Sequence, residues 1–343
     1  TKDFVYKDGD VYVGHEHGSM VLSCMAAYLP EEMIGTSPEA DYWLLRSEEA
    51  PLENIIEEYN WVSAAEFADS VGADVINSSL SYFDFDMPEW SYDYSEMDGN
   101  TAISTIGADI ASSKGMIVCN SAGNSGYLVG APADGDSVMT VGAVDINGDR
   151  AGFSSIGPTA DGRIKPNVMA CGAGATIAVG TSGISTNGYG TSFSSPILAG
   201  MITCLWQSHP EMSALEVMES VMESGSFATA PDNYMGWGIP DFSSADSILT
   251  SINPPLNSKL FVSAGPSPFK NQLQIIVDTD SSEFINLELI NLAGNTIMKM
   301  GYEVSRLNNN IIINSGLTGL PQGVYFLKVI SKTKAQTVKL LKG

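Results

Sequence analysis

The chain is short of histidine, cysteine and positive charge. It holds three histidines and four cysteines in 343 residues, and no two cysteines form a CxxC pair. That spacing excludes the ordinary zinc frameworks. Cys24, Cys119, Cys171 and Cys204 each lie among apolar or small residues and read as small core side chains, with one disulfide among them left open. Lysine and arginine total 16 against 40 acidic residues, a formal net charge of −24. Such a balance argues against electrostatic binding of nucleic acid or anionic membrane. No apolar run approaches the roughly 20 residues of a membrane span. The chain opens on Thr1-Lys2-Asp3 with no hydrophobic leader segment. A hydrophobic content of 44% suits a globular chain with a substantial core.

Charge divides what is present into two parts. Residues 1–252 carry 7 of the 16 basic residues and 35 of the 40 acidic ones, whereas 253–343 carry 9 and 5. The sign changes at Asn253-Pro254-Pro255-Leu256-Asn257-Ser258, a turn-rich, linker-like stretch. We expect a domain over 1–250, a linker over 251–262 and a second domain over 263–343. The first part alternates helical and strand patterns. Helices are expected over Leu22–Ala27, Trp61–Val71, Thr101–Ser113 and from Ser213 to Val221, the last opened by a Ser213/Glu216 capping box. Strands are expected at Ala73–Asn77, Met116–Cys119 and Val138–Val141. This order predicts an α/β fold, a doubly wound and mostly parallel sheet. The second part has short β-type runs at Leu273–Val277, Leu287–Ile290, Ile311–Ile313 and Val324–Val329, separated by turns such as Pro321-Gln322-Gly323. It predicts a small all-β sandwich with no catalytic constellation.

The heptapeptide Gly190-Thr191-Ser192-Phe193-Ser194-Ser195-Pro196 is followed by an apolar run from Ile197 to Trp206. It places a serine at the start of a buried helix, where free N–H groups and the dipole favour negative charge. A serine nucleophile needs a base. His209, in Ser208-His209-Pro210, is expected at an exposed helix end. His15 and His17 lie on a Gly-flanked polar segment, and spacing alone does not choose between them. Ser121-Ala122-Gly123-Asn124-Ser125-Gly126 follows a strand, at the sheet edge where sites form. Asn124 there is either an oxyanion donor or part of a plain Asn-Ser-Gly turn.

Together these stretches resemble the subtilisin-like serine peptidases, or subtilases, over most of residues 1–250. The heptapeptide is similar to the family's nucleophile motif, with Phe193 and Ser194 where Met and Ala are common. His17-Gly18-Ser19-Met20-Val21 is similar to its histidine motif, with Met20 in place of a second histidine; this selects His17 as base. Ala122-Gly123-Asn124 matches the segment that bears the oxyanion-hole asparagine. Val75-Ile76-Asn77-Ser78-Ser79-Leu80-Ser81 resembles the strand that pairs with substrate, which implies substrate contacts at Ser79, Leu80, Ser81 and Gly123. Phe153-Ser154-Ser155-Ile156-Gly157-Pro158 and Asp161-Gly162-Arg163-Ile164-Lys165-Pro166 are further similar stretches.

One departure stands out. Subtilases place Asp before His before Ser, yet only sixteen residues precede His17, and Asp3, Asp8 and Asp10 lie in poorly matching segments. The resemblance therefore implies a chain truncated ahead of its triad aspartate and signal peptide. Loss of that carboxylate lowers turnover in such triads by roughly 10⁴-fold, so little activity is expected of the chain alone. A catalytically dead binding or surface protein is the alternative. No cofactor is expected for the chemistry. The acidic run Asp84, Asp86, Asp93, Glu96 and Asp98 suggests a solvated loop, or a structural calcium site. Finally, Pro266-Ser267-Pro268-Phe269, Leu320 to Lys328 and the basic Lys339-Leu340-Leu341-Lys342 resemble the sorting domain of the type IX secretion system of Bacteroidetes-type bacteria. That implies secretion machinery and protein substrates as partners, and export across the outer membrane.

Overall fold

In the computed structural model residues 1–180, 183–251, 261–279, 282–305, 309–331 and 335–343 are described. The chain divides into two compact units, Thr1–Ile252 and Asn253–Gly343. Most of the expected 251–262 linker lies outside the described residues.

The first unit begins with β1 (Lys2–Asp3), α1 (His17–Ala26), a small hairpin of β2 (Tyr28–Leu29) and β3 (Met33–Ile34), and β4 (Leu45–Arg46). Then come α2 (Ile56–Ser70), β5 (Val75–Ser78), α3 (Ile103–Ser113), β6 (Ile117–Ser121), β7 (Val138–Val144) and β8 (Val168–Cys171). A hairpin of β9 (Ala173–Val179) and β10 (Gly183–Tyr189) leads into α4 (Thr191–Ser208), α5 (Ala214–Glu223) and α6 (Phe242–Ser251). Strands β5-β6-β7-β8 form a parallel sheet in chain order, with Val75 opposite Ile117, Val118 opposite Val138 and Val141 opposite Val168. Strands β1 and β4 form a separate parallel pair.

Side chains alternate across a strand, so neighbouring residues feed opposite cores. Ile117, Cys119, Met139 and Val141 pack with Leu198 and Ile202 of α4, Val217 and Val221 of α5 and Leu249 of α6. Val118 and Val138 pack with Trp61, Ala65 and Ala68 of α2 and Ala108 and Ala111 of α3. Both faces are covered, which is why the strands read as unbroken apolar runs. The α/β expectation agrees with this sheet.

Helix α2 starts five residues ahead of its expected position. Its first turn is acidic but buried. Glu57 accepts the Glu49 and Asn54 N–H groups, and Glu58 accepts Ser104 N–H, Ser104 O–H and Tyr92 O–H. A polar turn held by a tertiary network shows no apolar period. Strand β8, the β9–β10 hairpin and α6 were not anticipated. Among the cysteines, all four are free; Cys24 and Cys119 are buried and Cys171 half-buried, but Cys204 is exposed rather than in the core. It lies on the solvent-facing side of α4, one residue before buried Leu205.

The second unit comprises β11 (Phe261–Gly265), β12 (Leu273–Asp278), β13 (Glu283–Asn291), β14 (Thr296–Val304), β15 (Asn309–Ile313), β16 (Gly323–Ile330) and β17 (Ala335–Lys342). They form two antiparallel sheets, β11-β12-β15 and β14-β13-β16-β17. Leu273, Ile275 and Val277 from one sheet and Leu287, Leu289, Leu327 and Val329 from the other share one core, an all-β sandwich. Strands β11, β14 and β17 escaped the sequence pattern; Thr296-Ile297-Met298-Lys299-Met300-Gly301 breaks the apolar run with Lys and Gly.

One buried cation sits beneath the parallel sheet. Lys165 is 2% exposed and donates to Val138 O, Thr140 Oγ1 and Asn167 Oδ1. Burial pulls its pKa down to about 7, Arg163 pushes the same way, and Asp134, Asp109 and Asp136 oppose. A lysine whose folded pKa lies below its unfolded 10.5 disfavours folding fully below about pH 7, and the penalty fades as pH rises towards 10.5. Stability of the first unit should therefore increase over that window by up to about 1.4 kcal/mol per pH unit, and Lys165→Met should flatten the increase. All five tryptophans lie before residue 252, so urea unfolding followed by tryptophan fluorescence reads this unit alone. An equal slope in both proteins would show that Lys165 stays charged.

Candidate active site

Helix α4 begins where the β10 strand ends, and its first turn is dense in hydroxyls. Thr191, Ser194 and Ser195 are fully buried, whereas Ser192 keeps 8% of its surface, so it is the one hydroxyl of the four open to an incoming group. Ser194 Oγ donates to Thr191 O at 3.0 Å and closes the turn. Pro196 lies inside the helix four residues after Ser192. It has no N–H, so Ser192 O has no helical donor. Ser79 Oγ fills that place at 2.9 Å. Ser195 Oγ donates to Asn77 Oδ1 at 2.8 Å. These two bonds latch the start of α4 to the C-terminal end of β5.

Asn124 lies three residues beyond the C-terminal end of β6. Its Oδ1 accepts Thr191 N–H at 2.9 Å and Thr191 Oγ1–H at 3.0 Å, while Thr191 Oγ1 accepts Gly123 N–H at 3.1 Å. A backbone N–H can only donate, so the amide oxygen must face Thr191. Asn124 Nδ2 is thereby left without a partner among the described residues. Ser192 N–H, in the first turn of the helix, has no helical acceptor either. Both nitrogens converge beside Gly190: a Cβ added there would lie 3.6 Å from Asn124 Nδ2 and 3.7 Å from Ser192 N. Gly190 also has φ +149°, which disfavours any side chain. The chain thus keeps a small open space next to two unpaired donors.

His17 is the first residue of α1, at the end expected, but the helix starts there rather than at Leu22. Val21 and Cys24 of α1 pack with Phe193 of α4 and with Ala175 and Ile177 of β9. This small core holds the starts of α1 and α4 together, and the His17 and Phe193 rings are 6.1 Å apart, centre to centre. His17 N–H donates to His15 Nδ1 at 3.1 Å, so His15 serves the turn before the helix. Burial lowers the His17 pKa from its ordinary 6.5, and His15 adds to the effect. The ring is therefore neutral at neutral pH. Among the described residues no hydrogen bond links its imidazole to Ser192 or to a carboxylate.

The three early aspartates are occupied elsewhere. Asp3 accepts Val5 and Tyr6 N–H, Asp8 accepts Asp10 N–H and Asp10 accepts Tyr12 N–H. Ser79, Leu80, Ser81 and Gly123 do come together. Leu80 O accepts Asn120 Nδ2 at 3.0 Å, and a Cβ on Gly123 would lie 3.5 Å from Ser81 Oγ and 2.9 Å from Ser155 Oγ. His209 is a correction: it is 8% exposed, not at the surface, because α6 brings Asp246 Oδ1 within 2.8 Å of its Nε2. It caps the far end of α4, about 26 Å along the helix from Ser192.

Thr191, Asn77 and Ser155 were not singled out as site residues. Thr191 precedes Ser192 within the heptapeptide, but its clamp on Asn124 crosses 67 residues and leaves no local signal. In the acidic run, Asp93 and Glu96 form a capping box, Asp86 accepts Glu53 N–H and Asp98 accepts Asn100 N–H. Among the described residues no group of three or more His, Cys, Asp or Glu side chains is arranged to hold a metal ion.

Residues 2–238 match the family model described as Subtilase family, and residues 264–342 match that of a secretion system C-terminal sorting domain. The chain is 31% identical over 235 residues to subtilisin amylosacchariticus of Bacillus subtilis subsp. amylosacchariticus, covering 66% of this chain and 54% of that protein. It is 32% identical over 213 residues to subtilisin DY of Bacillus licheniformis, covering 60% and 68%. The chain thus spans about half the length of the first of these relatives. In fold it is similar to the self-cleaved protease domain of PatA, with TM-score 0.57, 22% identity and coverage of 68% of this chain and 83% of that one. It is also similar to the MycP3 protease from the type VII (ESX-3) secretion system, with TM-score 0.58, 20% identity and coverage of 71% and 76%. With the helix-start serine, the helix-start histidine and the asparagine beside them in the order those motifs require, the chain belongs to the subtilase family.

Proposed function

We propose that the protein is a secreted serine endopeptidase that cleaves peptide bonds through an acyl-enzyme on Ser192. The observation that carries this reading is the pair of unpaired donors, Asn124 Nδ2 and Ser192 N–H, beside Gly190. Donors left free next to an accessible serine suit an oxyanion that forms only when the serine attacks a carbonyl. Ser192 Oγ bonds to the carbonyl carbon while His17 takes its proton; His17 then returns the proton to the leaving amine. Water repeats the sequence and releases the acid. Ser79, Leu80, Ser81 and Gly123 line the approach for an extended substrate. The carboxylate that orients His17 comes from outside the described residues, since none of theirs is bonded to it.

The sorting-domain match over 264–342 supports export by the type IX system; that the exporting cell is a Bacteroidetes-type bacterium is part of the proposal. No helix among the described residues is long and apolar enough to cross a membrane. A structural calcium at the acidic run would make the thermal midpoint fall on adding chelator, and an unchanged midpoint would exclude it. The catalytically dead alternative predicts no acylation.

A fluorophosphonate probe should label the 343-residue chain slowly but at Ser192, and Ser192→Ala should abolish labelling in intact-mass spectra. Labelling that survives this change would remove Ser192 from the mechanism. Asn124→Ala should slow labelling by about 10²–10³-fold, the scale for losing one oxyanion donor, and should also lower the thermal midpoint, because buried Thr191 loses its acceptor.

The acid side of the rate profile follows from His17. Its neutral form is the base, so the labelling rate should be flat at neutral pH and fall as pH drops through its lowered pKa, below 6.5. His17→Ala should lack that limb. A wild-type limb centred well above 6.5 would mean that a different group titrates.

A further inference from the structure

Two aromatic rings flank the His17 imidazole. The His15 ring centre is 6.3 Å away, with its plane tilted by 56°, and the Phe193 ring centre is 6.1 Å away, tilted by 48°. Both distances lie within the range of attractive ring pairs. The two neighbours differ in how firmly they are held. His15 is exposed, on the turn before α1. Phe193 is 6% exposed and packs with Val21 and Cys24 of α1 and with Ala175 and Ile177 of β9.

Strand β10 completes the seat of the Phe193 ring. A Cβ added at Gly188 would lie 3.2 Å from Phe193 Cδ2 and 3.1 Å from Ile177 Cγ2. Gly188 does not have a positive φ, so space and not backbone conformation calls for glycine there. Phe193 also follows Ser192 directly in the chain. A ring locked by β9 and β10, and joined by one peptide bond to the candidate nucleophile, can fix a third group relative to that nucleophile.

We propose that Phe193 is a positioning residue: its ring, seated against the bare backbone of Gly188, packs on His17 and holds the imidazole beside Ser192. The inference rests on the reading of Ser192 as nucleophile and His17 as base. A ring contact occupies neither imidazole nitrogen, so one stays free for Ser192 and the other for the orienting carboxylate. The ring also keeps water from one side of the imidazole, in line with burial as the first cause of the lowered His17 pKa. Few other groups act there. Helix α4 and strands β9 and β3 pack against α1; β9 and β3 carry no titratable side chain, and α4 carries only Cys204, towards its far end. Glu31 and Glu32 lie in the β2–β3 turn, past the other end of α1. Nearer are His15 and Glu16 before the helix, Cys24 within it, Cys171 at the end of β8 and Tyr189 at the end of β10. Of all these, only His15 adds to the shift.

The chain has three histidines, so NMR can follow each ring in the 343-residue protein isotopically labelled at histidine. The ring signal lost in His17→Ala is that of His17, and its titration should be centred below 6.5. Phe193→Ala should move that centre up towards 6.5. It should also slow fluorophosphonate labelling at neutral pH by up to about 10²-fold, the scale for a misplacement of about 1 Å. Phe193→Met keeps much of the bulk but not the flat ring, and its titration centre and labelling rate should fall between the two. A ring that only packs α4 would lower the thermal midpoint in both variants and leave the His17 titration where it was. That result would overturn the proposal, as would labelling rates equal to wild type in both variants. If Phe193→Ala does not fold, Phe193→Met decides alone. Failure of the underlying reading looks different: the wild-type chain would not be labelled at Ser192, while the His17 titration would still respond to residue 193.

Discussion

The carbonyl of Ser192 cannot bond within its own helix, because Pro196 has no N–H to give it. Everything around the site is arranged about that fact. The orphaned oxygen accepts Ser79 Oγ, so the first turn of α4 is tied to the end of β5 and not only to its own helix. Ser195 adds a second tie to Asn77. A serine held from its carbonyl side and from the next turn keeps its N–H beside the open space at Gly190. With an N–H at position 196 the helix would satisfy that carbonyl itself, and the sheet edge would keep only the Ser195–Asn77 tie.

The remaining parts come from places far apart in the chain. Asn124 arrives from the end of β6 and is oriented by Thr191; His17 arrives at the start of α1 and is held by a small core with Phe193. Two helix starts therefore point at one region. Each presents the positive end of a dipole, and α4 adds the free Ser192 N–H, whereas the His17 N–H is taken by His15. Both favour an anion between them, while the lowered His17 pKa comes from burial and from His15. A unit with a large excess of acidic residues thus offers an anion backbone N–H groups, not lysine or arginine, beside Ser192.

Much of this was legible in the residues. The parallel sheet followed from unbroken apolar runs alternating with helical periods, and Ser192, His17 and Asn124 each stood next to a helix start or strand end that the sequence marked. What escaped notice has a common cause. The acidic first turn of α2 is stable because Ser104 and Tyr92, more than thirty residues away, solvate Glu58. His209 is buried because Asp246 closes over it. Thr191 matters through a bond to Asn124. In every instance a polar group was placed by a distant partner, and local pattern carries no trace of such a partner. Strand β14 was missed for the opposite reason: it is defined by pairing along β13, not by its own composition.

The four thiols carry a redox consequence. Burial raises Cys24 and Cys119 to about 12, so at neutral pH neither offers the thiolate that oxidants and disulfides attack. Half-buried Cys171 is shifted in the same direction. Only Cys204 is exposed. An oxidising compartment therefore meets a folded chain with one fully exposed thiol, and a single exposed thiol can bridge two molecules but cannot staple one. The fold resists oxidation by concealment, and owes none of its stability to a covalent cross-link.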